Sequence, residues 1–480
     1  AYEYAFSEAG ERTVTVSVGT IRDTFTVTIK TALPSFKFRV NSGSDKKFIV
    51  PTQFWYPSTA TYNWKINWGD GAEGTYSGTS KADSPGILHD YDIANEDYDI
   101  EISSADSVGG ENWLQAFGWG GNSSVTTFEN SVKLKRILTP FPKNSKNIFY
   151  GTFSTCSGLT SIPADLFDNI SSAPTPYMFY STFGNCGGLT SIPADLFANI
   201  SGIPAEHMFD ATFAYSGLTS IPAGLFSKIS GAPADYMFYY TFFGCKGLTG
   251  EIPDDLFAGI NGAPAPYMFS YTFTACSGLT GSIPAGLFGN ISGIPAPYMF
   301  ASTFSGCVGL TGIPDCLFGN ISGAPTESMF ASTFYNCCGL TGIPDGLFGN
   351  ISGIPAPYMF AQTFYNCSGL TGSVPAGLFS NISGAPAESM FQGTFTNCSG
   401  LIGIGVPFIG NISGPAQPYM YRSTFSNCTA LAGYSAKMAN GQYIYAPYTI
   451  PSNNGLSHYW LCYTGSTGLS DYNQMPERWK

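Results

Sequence analysis

Residues 181–209 read STFGNCGGLTSIPADLFANISGIPAEHMF, and the same phrase returns down the chain every 29 to 31 residues. Its Thr-Phe places Phe at 153, 183, 213, 242, 273, 304, 334, 364, 395 and 425. Three residues after that Phe stands Cys156, Cys186, Cys245, Cys276, Cys307, Cys337, Cys367, Cys398 or Cys428, and Ser216 alone breaks the series. Gly-Leu-Thr follows, then Ile-Pro, Leu-Phe, Asn-Ile-Ser, a Gly/Pro stretch and Met-Phe. A fixed period of about 30 residues is the signature of stacked coils, because one such unit cannot bury its own apolar face.

Within a coil, Leu-Thr-x-Ile alternates apolar and polar residues and predicts a short strand. The proline after it ends the strand and permits a turn of helix. Leu166, Phe167 and Ile170 have helical spacing, and Ser-Gly-x-Pro breaks the run. Met178, Phe179, Thr182, Phe183 and Cys186 step by i, i+4 and predict a second helical piece. The expected fold is therefore α+β. It comprises an N-terminal antiparallel β-sandwich, then a leucine-rich-repeat solenoid with one parallel strand and short helical pieces per coil. The divisions are 1–32, the end of a sandwich module; 33–104, a sandwich; 105–147, a connector and cap; 148–428, ten coils; and 429–480, a degenerate coil and cap.

The phrase Phe-x-x-Cys-x-x-Leu-x-x-Ile-Pro-x-x-Leu-Phe resembles the leucine-rich repeat of the BspA-like bacterial surface proteins, over roughly residues 148–476. That resemblance implies an extracellular solenoid with adhesive or host-contact roles. Upstream, Tyr62 to Trp68 alternates and runs into Gly69-Asp70-Gly71, a hairpin signal. With His89-Asp90-Tyr91 and Tyr98-Asp99-Ile100, this stretch resembles the PKD-like β-sandwich of bacterial surface proteins.

Composition narrows the function. The chain has 480 residues, a net charge of −12 and only 11% charged residues. An acidic chain disfavours nucleic acid and anionic membrane as partners. No run of eighteen apolar residues occurs, so no transmembrane segment is expected. Three histidines and few charges leave little acid–base chemistry, so no enzymatic activity and no cofactor are expected. The chain begins at Ala1, which reads as a trimmed start.

The in-phase cysteines admit three readings. Their spacing matches no zinc pattern, stacked coils bring some within disulfide reach, and the simplest account is a buried ladder of thiols. His458 and Cys462 stand four apart, and a thiol nucleophile with a base is weighed there against a packed cap. His207 fills a position held elsewhere by Tyr236, Tyr267 or Tyr298, so an exposed variant is expected. Asp70 with Asp90 and Asp92 is either a calcium site or a satisfied turn. The recurring Asn-Ile-Ser is either a glycosylation acceptor or a turn-bonding side chain.

Between residues 151 and 428 there are 13 acidic residues and 3 basic ones, Lys228, Lys246 and Arg422, a balance of −10. A surface so poor in charge makes aromatics the natural anchors. Tyr239, Tyr240, Phe243 and Tyr271 should form one outward patch, and Tyr335 and Tyr365 are further candidate partner contacts. The alternatives are that these rings are idle or covered by the chain itself. The expected role is extracellular or cell-surface adhesion to a protein or glycan. The alternative is a structural subunit of a surface layer, appendage or phage fibre, with copies of itself as partner.

Overall fold

A computed structural model describes residues 10–18, 21–29, 34–53, 59–81, 84–106, 112–119, 130–143, 145–170, 173–448 and 461–480. Strands β1 (Gly10–Val18) and β2 (Ile21–Ile29) pair antiparallel, Gly10 opposite Ile29. Downstream come β3 (Ser35–Asn41), β4 (Lys47–Val50), β5 (Ala60–Asn67), β6 (Glu73–Ser80), β7 (Ile87–Asp90), β8 (Asp97–Ser104) and β9 (Leu134–Ile137). A five-stranded antiparallel sheet runs in the order β6-β5-β8-β3-β9, and β4 pairs with β7 in a second sheet. Period-two alternation puts Phe36, Phe38 and Val40 of β3 inside with Trp64, Ile66, Ile100, Ile102, Phe48 and Val50.

Strand β9 joins this sheet to the coils. Ile137 is opposite Phe38, while the Thr160 amide donates to the Lys135 carbonyl at 3.0 Å and Arg136 bridges Ser161 in parallel. Phe141 stacks on Phe36 at 4.5 Å and on Phe167 at 5.9 Å, so one hydrophobic core runs through the junction. Beneath it the buried Lys146 ammonium donates to the carbonyls of Gln115 and Phe117, both at 2.9 Å, and burial lowers its pKa to about 7.

The coils correct the fold expected from sequence. Among the described residues of 148–428 there is no α-helix, and regular strands are confined to β10 (Gly281–Ser282) with β11 (Leu310–Gly312) and β12 (Gly372–Val374) with β13 (Leu401–Ile404). The α+β solenoid with helical pieces and one strand per coil is therefore wrong. The Met-Phe segment is instead a run of four-residue turns. Every fourth residue is left-handed: Tyr177 (φ 60°), Ser181 (φ 48°) and Asn185 (φ 59°) in one coil, Tyr267, Tyr271 and Ala275 in another. A helix cannot pass through such residues.

The backbone hydrogen bonds explain why the turns persist. Amides of Tyr180, Thr182, Gly184 and Cys186 close turns onto the carbonyl three residues back. The interleaved amides of Phe179, Ser181, Phe183 and Asn185 donate instead to Met208, Asp210, Thr212 and Ala214 of the next coil, at 2.7–2.9 Å. Each coil thereby satisfies its own turns and its neighbour with alternate residues. Side chains follow in pairs: Met178 and Phe179 point in, Tyr180 and Ser181 out, Thr182 and Phe183 in.

The inward rings stack along the axis. Phe149, Phe179, Phe209 and Phe238 form one column with centroids 5.4–5.6 Å apart and planes within 6°. Phe153, Phe183 and Phe213 form a second, and Phe167 and Phe197 belong to a third. All are buried, each contributing about 1.5–3 kcal/mol of burial. The stack ends at Tyr463, which lies on Phe425 at 5.3 Å, with Trp479 packed beside Tyr421.

Candidate functional site

Tyr239, Tyr240, Phe243 and Tyr271 come together on the outer side of the turn run, and all four are half-buried. Tyr240 and Tyr271, one coil apart, stack at 4.7 Å with planes 6° apart. Tyr239 stands edge-on to both, at 4.3 and 5.7 Å, and Phe243 packs against Tyr240 at 4.7 Å. Tyr215, 53% exposed, adds a fifth ring beside Phe243 at 5.1 Å. Tyr335 and Tyr365 stack with each other at 4.9 Å, three to four coils further on, and are likewise half-buried. Tyr236 packs edge-on against Tyr239 as well, at 5.3 Å.

A longer ladder lies alongside. Tyr177, His207, Tyr236, Tyr267 and Tyr298 stack in one column at 4.4–4.6 Å with planes within 10°. Sequence reading placed His207 as an exposed variant; it is a half-buried rung between two tyrosines. Its signal was the recurring ring just before Met-Phe. His207 Nδ1 lies 2.7 Å from an Asp210 carboxylate oxygen, and Nε2 lies 3.6 Å from Glu206. Asp210 is 4% exposed. Burial pushes its pKa up to about 6, against the opposing pull of His207. Asp235, one rung on, is raised by burial and then by the Glu206 charge. The phenols of Tyr298 and Tyr358 donate to Glu327 (2.6 Å) and Glu388 (2.7 Å), and these bonds raise both phenol pKa values.

Cys156, Cys186, Cys245, Cys276, Cys307, Cys337, Cys367, Cys398 and Cys428 are all buried and free. From Cys186 onward each Sγ lies 2.9–3.1 Å from a phenylalanine carbonyl in the preceding coil. Burial raises the thiols above their ordinary range. Ser216, in the vacant cysteine place, meets the Cys245 sulfur at 3.3 Å. Such thiols are structural donors, poor as nucleophiles. Cys462 is also buried with its thiol raised, the opposite of activation, and His458 lies outside the described residues.

Asp70 accepts from the Ala72 amide at 2.9 Å and lies 2.7 Å from His89 Nε2, which makes it a satisfied turn carboxylate. Asn199, Asn290, Asn320 and Asn381 each donate their side-chain amide to a carbonyl one coil back, at 2.6–3.3 Å. Among the described residues no group of three or more His, Cys, Asp or Glu is placed to hold a metal, and no helix is long and apolar enough to cross a membrane.

No family model matches the chain, and no curated protein matches it. Among solved structures, the chain is similar at 13% identity to one described as the Toll–Spatzle complex, a molecular hub in Drosophila development and innate immunity. The match covers 68% of this chain and 35% of that one, so this chain spans about a third of its length. Its TM-score of 0.16 carries no argument about fold or function.

Proposed function

We propose that the chain is a non-enzymatic, extracellular recognition protein that binds a protein or glycan at a cell surface. The observation that carries this reading is the contiguous, half-buried patch of Tyr239, Tyr240, Phe243 and Tyr271, which Tyr239 joins edge-on to Tyr236 of the ladder at 5.3 Å. Aromatics supply large contact area at low entropic cost, and a face this poor in charge offers little else to hold a partner. The resemblance to BspA-like surface proteins supports the same class. The test is Tyr239→Ser, Tyr240→Ser and Tyr271→Ser combined, scored for melting temperature and for adhesion to cells. Lost adhesion with retained melting temperature supports the reading, whereas unchanged adhesion sinks it.

A second reading, a structural subunit of a surface layer, appendage or fibre, draws on a different observation. Ile203, Ile294 and Ile354 are 76%, 70% and 64% exposed at one phase of the coil. Exposed apolar side chains in line suit lateral association of copies. Sedimentation of the purified protein with and without Ile→Ser changes at these positions separates the two readings.

A further inference from the structure

The five-stranded sheet ends in two different ways. At one edge β9 passes its bonding on to the first coil, through Lys135 to Thr160 and Arg136 to Ser161. At the other edge stands β6 (Glu73–Ser80), which pairs with β5 alone. The Trp68 amide donates to the Ala72 carbonyl at 3.0 Å where the β5–β6 hairpin closes, and the Asn63 carbonyl turns the other way to accept from Ala105, just beyond β8. Even-numbered residues of β5 and β6 therefore bond each other. The odd ones of β6, Glu73, Thr75, Ser77 and Thr79, aim their N–H and C=O groups away from the sheet. Among the described residues no backbone group bonds to them on that side.

Open edges are ordinarily blunted by proline, lysine, a bulge or a very short strand. Strand β6 has none of these: it runs for 8 residues with no proline and no basic residue, in unbroken register with β5. Glu73, Thr75, Ser77, Gly78 and Thr79 are exposed. The strand is also complementary to itself. Antiparallel pairing with β6 of a second copy, about a two-fold at Ser77, sets Ser77 against Ser77, Thr75 against Thr79, and Glu73 against Lys81, the exposed residue that follows the strand. Opposite charges meet at both ends, threonine meets threonine, and Tyr76 faces Gly78, so no two large side chains collide. A two-fold at Tyr76 or Thr75 would set Glu73 against Thr79 or Ser77 and lose the charge match. Each outward pair exchanges two backbone bonds, about six over the three central pairs.

We infer that β6 is a self-pairing edge, through which two copies of the chain join their five-stranded sheets into one continuous sheet. The match of charge and side-chain size within a single strand selects a second copy over a foreign strand. This edge belongs to the sandwich, whereas the tyrosine patch and Ile203, Ile294 and Ile354 belong to the coils. The inference therefore stands apart from both readings of function.

The test is sedimentation velocity on the full chain, from about 1 to about 300 µM. Ser77→Pro removes an outward N–H and leaves the bonds to β5 in place. It should keep the wild-type melting temperature and abolish the dimer. Glu73→Lys sets like charges against each other at both ends and should weaken association about tenfold or more. Glu73→Lys combined with Lys81→Glu should restore it to within about threefold of wild type. That rescue is specific to a two-fold at Ser77, and it decides the case even where the proline variant fails to fold. A wild-type chain that stays monomeric throughout the range overturns the inference, as does a dimer untouched by Ser77→Pro in a folded chain, or a charge swap that does not rescue. Association lost on Ile203→Ser, Ile294→Ser and Ile354→Ser but kept in Ser77→Pro would refute this edge and leave the second reading above standing.

Discussion

Cys307 donates its thiol proton to the carbonyl oxygen of Phe273, one coil back and 3.0 Å away. That oxygen already accepts the Cys276 amide at 3.1 Å, so the thiol fills its second lone pair. The Thr303 hydroxyl likewise reaches the Phe269 carbonyl at 3.0 Å, shared with the Phe300 carbonyl of its own coil at 2.8 Å. Two parallel ladders, one of thiols and one of hydroxyls, thus tie each coil's inner carbonyls to the next coil.

If the thiol is a donor as well as a filler, a replacement of similar size without a donor should cost more than one that keeps it. Cys307→Ser should cost less than about 1.5 kcal/mol, and Cys307→Val about 1 kcal/mol more than the serine variant. Cys307→Asp should cost several kcal/mol, because a carboxylate would be stranded in the core. Denaturant unfolding gives the order directly; valine matching or exceeding serine would show that the thiol proton contributes nothing.

Left-handed residues other than glycine carry a conformational cost of about 1–2 kcal/mol. Gln362 (φ 55°) is one, and its counterpart one coil later is Gly393 (φ 64°). Gln362→Gly should therefore be neutral or stabilise the protein, while Gln362→Val, which places a β-branched side chain at positive φ, should destabilise it by more than about 1 kcal/mol. Equal stabilities of the glycine and valine variants would remove the strain from the account.

The length of the unit and the inward set of Phe, Leu, Ile and Cys side chains were legible because burial repeats at fixed intervals. The turn run was not. Met178, Thr182 and Cys186 step by four, and an i, i+4 pattern suits a helix of 3.6 residues per turn and a chain of four-residue turns equally well. What separates them is the left-handed residue, which in successive coils is Ser181, Ala211, Tyr240, Tyr271, Ser302, Ser332, Gln362 and Gly393. Only the last announces itself by type. The rest are held there by amides bonded to the next coil, a long-range cause invisible in a local window. The tyrosine patch was legible because a fixed coil length places Tyr240 over Tyr271. The His207–Asp210 pair was not, since its two residues were judged column by column.

Asp210 makes that pair visible in solution. Its folded pKa, about 6, lies above the ordinary carboxylate value of 3.8. Between those values the folded protein binds more protons than the unfolded chain, so stability is greatest at the acid end and falls as pH rises towards 6. Asp210→Asn removes this dependence. Relative to wild type the variant should gain stability as pH goes from 4 to 7, by about 1 kcal/mol or more once the lost charge-assisted bond to His207 is counted. Denaturation midpoints at pH 4, 5, 6 and 7 for both proteins test it, and parallel profiles would place the carboxylate at its ordinary value.

Gly369 explains why Gly-Leu-Thr recurs. A Cβ built there would lie 2.2 Å from the carbonyl oxygen of Cys338 and 2.9 Å from that of Leu340, both backbone atoms of the preceding coil. Neither can retreat without parting the coils, since the Thr371 amide is bonded to the Thr341 carbonyl at 3.1 Å beside them. Gly342, near the same edge one coil earlier, faces open space with nothing within 4 Å. Gly369→Ala should therefore destabilise the protein by several kcal/mol through forced separation of the backbones. Gly342→Ala should lie within about 0.5 kcal/mol of wild type. The two changes add the same methyl group to the same residue type, so chain entropy in the unfolded state is nearly common to both and the difference reports the contact alone. Equal unfolding midpoints for the two variants would mean that the coils part easily at this edge.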